Sequence, residues 1–183
     1  MADELIDIVD ESNNLLGVRK MKSEAFKKKL WHRASFVWIY NSKGEMLLQL
    51  RAKEKKIHPN MWDVAVAGHL GAGEEPLSAA IRETKEELGI DVSEADLKFI
   101  KVAKVLDYPW EEMDNEFQYF YLIKFDGDPK KLVLQKEEVQ KVKFFKLDDL
   151  KHELVSSKEK YVDYGEYWSK MISEIKKRAK LFN

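Results

Sequence analysis

Two periodicities divide the chain into elements. Residues 5–9, LIDIV, set an acidic residue among apolar ones and read as a strand. Ser12, Asn13 and Asn14 carry turn chemistry, and residues 15–18 return as a second strand, which makes an N-terminal hairpin. Residues 21–30 are basic and read as helical or irregular. Residues 34–40, ASFVWIY, are rich in β-formers; Asn41 to Gly44 is a turn, and residues 45–51, EMLLQLR, are the partner strand. Residues 52–63 form a basic loop around Pro59, and residues 64–67 read as one short buried strand.

The period then changes to that of a helix. Pro76 suits a first helical position, where its missing N–H loses nothing. Leu77, Ile81, Thr84 and Leu88 fall on one face, and Gly89 stands where helices commonly stop. Residues 99–106 and 117–125 read as strands, with Pro109 and acidic residues between them. Residues 141–145 are another strand and residues 147–154 a short helix. Tyr161, Tyr164, Trp168, Met171, Ile172 and Ile175 recur at spacings of three and four, which predicts an amphipathic C-terminal helix with a basic end. The expectation is one α/β domain over 1–183 with a mixed sheet: an extension at 1–30, a core at 31–155 and a C-terminal helix at 156–183.

Composition narrows the function classes. Of 183 residues, 44% are hydrophobic, enough for a core, and 36% are charged. The 32 basic and 33 acidic residues nearly cancel and the basic ones are dispersed, so neither nucleic acid nor a membrane surface is expected as partner. With no cysteine there is no disulfide, thiolate metal site or thiol nucleophile. The acidic N-terminal stretch MADELIDIVDESNN has no apolar run of the signal-peptide kind, and no segment approaches the roughly 20 apolar residues of a membrane span. A cytoplasmic protein is expected.

Any charge-based chemistry must therefore be local, and the segment GHLGAGEEPLSAAIRETKEELGI, 68–90, concentrates it. Glu83, Glu86 and Glu87 stand at i, i+3 and i+4 and share a helix face opposite Leu77, Ile81 and Leu88. Carboxylates about 5–6 Å apart repel by roughly 3 kcal/mol per pair at an effective dielectric of 20, but by only a few tenths when fully solvated. Such a set is either a solvated acidic face or a cation site. Oxygen-only donors select hard dications, Mg²⁺ first and Mn²⁺ as a substitute, and Mg²⁺ completes its shell with water and phosphate. That chemistry is attack of water on a phosphoanhydride.

These residues resemble the Nudix box, G-x5-E-x7-R-E-U-x-E-E-x-G-U, where U is a bulky apolar residue. Gly68, Glu74, Arg82, Glu83, Glu86, Glu87 and Gly89 occupy all seven fixed positions, with Ile90 at the last U and Thr84 a departure at the first. The resemblance implies an α/β/α sandwich whose box forms a loop–helix–loop. It implies Glu83, Glu86 and Glu87 as metal-binding and catalytic residues, with the Gly68 carbonyl as a further ligand. Glu74 and Arg82 would pair to pin the loop to the helix, and Glu74 is a further candidate for contact with metal. The general base varies among family members and is left open.

The flanks are similar to a narrower branch, isopentenyl diphosphate isomerase and related hydrolases, over roughly residues 1–125. His32-Arg33, Arg51, Lys55, Pro59, Trp62-Asp63 and Ala67-Gly68-His69 carry that likeness. It implies Arg51 and Lys55 as a phosphate clamp, against a solvated lysine run as the plainer alternative. His32, His69 and Glu116 match part of that isomerase's metal site, without a counterpart of a further histidine near residue 25; otherwise the histidines are structural. Glu116 is also a catalytic candidate. Trp62 and Trp110 would stack on a substrate or simply pack. The isomerase's proton-transferring cysteine is here Ala67. The function implied is a Mg²⁺-dependent hydrolase of a diphosphate linkage in a small molecule such as a nucleoside diphosphate derivative. The alternatives are isomerase activity, disfavoured by Ala67, and a non-catalytic binding module. The oligomeric state stays open; a homodimer would use the N-terminal hairpin or the aromatic C-terminal helix.

Overall fold

The computed structural model describes residues 3–106 and 115–179. In chain order its elements are β1 (Leu5–Val9), β2 (Leu15–Met21), α1 (Lys22–Lys27), β3 (His32–Tyr40), β4 (Glu45–Arg51), β5 (Trp62–Val64), β6 (Val66–His69) and α2 (Pro76–Leu88). There follow β7 (Lys98–Val105), β8 (Glu116–Lys124), β9 (Val139–Lys146), α3 (Leu147–Ser156) and α4 (Glu166–Ala179). β1 and β2 form a separate antiparallel hairpin. The other strands make a seven-stranded mixed sheet in the order β5-β4-β3-β8-β7, with β6 also on β3 and β9 also on β4. Among the described residues, only the strand pair β3 and β8 runs parallel.

Strand alternation assigns the two faces. Phe36, Trp38 and Tyr40 of β3, with Phe120 and Leu122 of β8, point to the side covered by α3 and α4. There they meet Leu150, Trp168, Met171, Ile172 and Ile175. Val37, Ile39, Tyr121 and Ile123 point the other way, onto Ala80 and Leu88 of α2. A strand covered on both faces reads as a continuous apolar run, which is why ASFVWIY lacks a clean period of two. The result is a mixed sheet between helical layers, α/β/α.

The structure departs from the sequence reading in three places. The single strand expected at 64–67 is two, β5 and β6, separated at Ala65, because the chain passes from pairing with β4 to pairing with β3. Trp62 and Asp63 consequently belong to a strand and not to the basic loop. The C-terminal helix starts at Glu166, after Gly165 at φ +53°, so Tyr161 and Tyr164 precede it although both are buried. Its apolar side packs into the chain's own core. The hairpin differs: Leu15, Leu16 and Val18 are exposed. Among the described residues no helix is long and apolar enough to cross a membrane.

Candidate active site

The centre is the junction of β6, the loop after it and α2. Gly68 has a steric reason to be glycine. A β-carbon there would lie 2.0 Å from Glu83 Cδ, so the Glu83 carboxyl occupies the space that a side chain would need. Gly89 ends α2 at φ +67°, donating its N–H to the Lys85 carbonyl. Thr84 faces the core fully buried, and its hydroxyl donates to the Ala80 carbonyl at 2.6 Å, which satisfies the polar atom within the helix.

The loop at 70–75 is held from both sides. Arg82 donates to Glu74 through Nε and Nη2, both at 2.8 Å, and to the His69 carbonyl at 3.1 Å. The Gly71 N–H donates to Glu74 Oε2 at 2.8 Å. Burial alone would raise the Glu74 carboxyl, but Arg82 and this N–H hold it below the usual value. From outside, the N-terminal hairpin grips the loop: Gly73 N–H donates to Asp7 Oδ2 at 2.5 Å and Ala72 N–H to the Leu5 carbonyl at 2.9 Å. Glu4 and Leu5 of the hairpin, with Glu74, Arg82 and Glu86, line an open cleft of about 540 Å³.

The three box glutamates on α2 are not equivalent. Glu86 is half exposed and accepts from Arg82 Nη1 at 3.0 Å. Glu83 is mostly buried and accepts from the same nitrogen at 2.8 Å; burial nevertheless pushes its carboxyl up to about 7. Glu87 is 3% exposed and turns toward the sheet beside Leu88 instead of away from it. Gln49 Nε2 of β4 donates to Glu87 Oε2 at 3.0 Å. Burial first, then Glu83 and Glu138, raise its carboxyl well above the usual range. Two crowded, desolvated carboxylates fit a dication as donor set: it would supply the charge that Arg82 supplies only to Glu83.

A second cluster lies on the other face of β6. Side chains alternate along this strand, so with position 68 facing Glu83, Ala67 and His69 face the opposite way. There the register sets His32 beside Glu116, and Ala34 beside His69. Glu116 Oε1 lies 3.5 Å from His32 Nε2 and 3.2 Å from His69 Nε2. Burial would raise the Glu116 carboxyl, but the two histidines hold it well below the ordinary range, and Gln118 Nε2 donates to its other oxygen at 2.8 Å. His32 Nδ1 lies 2.9 Å from the Leu30 carbonyl, an acceptor only, so this nitrogen carries a proton and Nε2 faces Glu116. Phe26 packs against both imidazoles. One donor atom from each of His32, His69 and Glu116 falls within 4.8 Å of the others, a spacing suited to one metal ion.

The basic candidates are engaged elsewhere. Arg51 donates to Asp63 Oδ2 at 2.7 Å and, from Nε and Nη2, to the Ile57 carbonyl at 3.2 and 3.0 Å. It thus fastens the loop at 52–61 from within, and its guanidinium is already occupied as a phosphate clamp would not be. Lys55 pairs with Glu138 and lies near enough to Glu87 to stabilise its charge. Trp62 packs edge-on against Phe145, under Lys141. Trp110 lies outside the described residues. Sequence reasoning missed Gln49, Glu138 and Asp7, and it named Asp63 and Tyr164 without their contact, in which the Tyr164 hydroxyl donates to Asp63 Oδ1 at 2.5 Å. None of the missed three falls in a motif; only burial of a polar residue in a strand would have marked Gln49.

An α/β/α sandwich with buried box glutamates at the β6–α2 junction defines a class, and comparison with known proteins gives its name. The NUDIX domain model matches residues 30–164, and the chain belongs to the Nudix family. Nudix hydrolase 3 of Arabidopsis thaliana is 32% identical over 99% of this chain, which spans only 24% of that longer protein. An uncharacterised Nudix hydrolase of Clostridium acetobutylicum is 33% identical over 82% of this chain and 73% of its own length. The isopentenyl-diphosphate Delta-isomerase of Serratia proteamaculans is 32% identical over 69% of each. A crystal structure from Deinococcus radiodurans has the same fold, with TM-score 0.71, 19% identity and coverage of 94% of this chain and 99% of that one. The chain is a Nudix hydrolase, an enzyme of the class acting on pyrophosphate bonds.

Proposed function

We propose that this Nudix hydrolase is Mg²⁺-dependent, with Mn²⁺ as a substitute, and cleaves the phosphoanhydride of a small diphosphate such as a nucleoside diphosphate derivative. The observation that carries the reading is the burial of Glu83 and Glu87 together, with both carboxyls raised by desolvation. Glu83, Glu87 and the Gly68 carbonyl would hold the ion, with Glu86 joining from the solvent side. The ion supplies charge neutralisation at the phosphates. Water attacks one phosphorus, the bridging P–O bond breaks toward the other phosphate, and Arg82 keeps Glu83 oriented throughout. Lys55 reaches the substrate only by leaving Glu138, so its role as a clamp implies an exchange of partners on binding. Arg51 shapes the loop that carries Lys55.

A second reading, isomerisation of isopentenyl diphosphate, is favoured by the Serratia relative and by His32, His69 and Glu116. Ala67 opposes it: a methyl group exchanges no proton with carbon. Both readings are tested with one panel of ADP, GDP, UDP, ADP-ribose, NADH, dimethylallyl diphosphate and isopentenyl diphosphate, incubated with Mg²⁺. The expected outcome is phosphate-bond cleavage in at least one compound, lost in Glu87→Gln. Dimethylallyl product without cleavage would reverse the preference, and undiminished turnover in Glu87→Gln would reject the metal assignment.

A further inference from the structure

We infer that Gln118, on β8, is a positioning residue: it holds Glu116 with one oxygen turned to both His32 and His69, and so sets the affinity of that cluster for a borderline dication such as Zn²⁺. Residues 116 and 118 stand two apart on one strand, so their side chains leave it on the same face. Gln118 Nε2 donates to Glu116 Oε2 at 2.8 Å, and Oε1 of the same carboxylate is the atom that faces the two imidazoles. An ionised carboxylate only accepts, so the amide nitrogen is the atom that meets it. This leaves Gln118 Oε1, on a fully buried side chain, without a hydrogen-bond partner among the described residues. A stranded buried acceptor is destabilising, and packing does not account for it. The cross-strand neighbours of Gln118 are Ala34 and Ala103, both buried, and a methionine would fill the same space with no acceptor to strand. What the amide gives, and an apolar chain cannot, is the bond to Glu116.

The amide also carries no charge. Arg82 takes both oxygens of Glu74 and offsets their charge, whereas Gln118 fixes Glu116 and leaves its negative charge for a cation. His32 is tied in the same manner, by its Nδ1 on the Leu30 carbonyl. Ligands whose far atoms are tied lose little freedom when an ion arrives, and removing one such tie weakens metal binding by about 10–100-fold. Two imidazoles and one carboxylate suit Zn²⁺, Co²⁺ or Mn²⁺ better than Mg²⁺, in contrast to the oxygen-only set on α2.

The test is Zn²⁺ binding to the full chain by calorimetry, with Mg²⁺ in large excess to occupy the α2 centre. Wild type is expected to bind one Zn²⁺, and His69→Ala to lose it. Gln118→Met is expected to bind it about 10–100-fold more weakly. Gln118→Asn keeps the amide but is one methylene too short to reach Glu116; it is expected to lose as much, and it serves if the methionine variant does not fold. With Co²⁺, the visible absorption of the bound ion should change shape in both Gln118 variants, which a merely structural role would not produce. Zn²⁺ affinity in a folded Gln118 variant within about threefold of wild type, an unaltered Co²⁺ spectrum, or no Zn²⁺ uptake by wild type would each overturn the assignment. Retention of the ion in His69→Ala would do the same. Glu87→Gln is expected to keep its Zn²⁺ affinity within about threefold. Full activity in Glu87→Gln would instead overturn the reading of the α2 centre and leave this one standing.

Discussion

At the residue scale, the site turns on the difference between Glu87 and Glu86, which share a motif but not an environment. Glu83 and Glu87 have raised carboxyls, so each binds its proton more tightly in the folded chain than in the unfolded one. Without metal, this contribution favours folding below the ordinary value of 4.5 and is lost as pH rises through about 7. Glu87→Gln should therefore melt higher than the metal-free wild type above pH 7, by roughly 3–8 °C, with the gap closing near pH 4. A mutant less stable than wild type at pH 8 in chelator would contradict the assigned burial. Glu74 has the opposite sign, because Arg82 and Gly71 hold its carboxyl down. Its stabilisation is present at neutral pH and fades as the solution is acidified below the ordinary carboxylate range. Gly68→Ala is the steric counterpart: the added methyl expels the Glu83 carboxyl, and Mn²⁺ affinity by calorimetry should fall by about tenfold or more.

At the scale of elements, the loop at 52–61 and the hairpin β1–β2 are the devices that set the site. Asp63 gathers Arg51, Tyr164 and the Val64 N–H, joining β4, β5 and the approach to α4. Removing its charge strands a largely buried guanidinium, so Asp63→Asn should cost about 3 kcal/mol in urea unfolding, whereas Tyr164→Phe should cost about 1 kcal/mol. Equal, negligible effects would show that this node holds nothing. Asp7→Ala frees the Gly73 N–H and should raise KM or lower kcat while leaving the melting temperature nearly unchanged. The same elements mark how far the sequence could be read. Helix α2 was legible to its ends, because Pro76, the 3.6 period and Gly89 are local signals. The split between β5 and β6 was not, since a change of pairing partner is a tertiary event with no residue to announce it. The start of α4 was misplaced because Tyr161 and Tyr164 mimic helical spacing while packing from a loop.

At the scale of the molecule, the α/β/α layering separates two polar clusters by the thickness of one strand. The box residues were legible because their spacing survives in one segment. Their neighbours Gln49 and Glu138, and the meeting of His32, Glu116 and His69, come from strand register between distant segments, which one sequence does not reveal. The account predicts that a dication neutralises the α2 side and thereby stabilises the whole chain: saturating Mg²⁺ should raise the melting temperature of wild type but not of Glu87→Gln. The most direct test is a crystal soaked in Mn²⁺ and measured at the manganese absorption edge. An anomalous peak in contact with the carboxylates of Glu83 and Glu87, beside Gly68, is the predicted result. Density for those side chains with no peak between them, in a crystal whose soak is shown by a peak elsewhere, would contradict it.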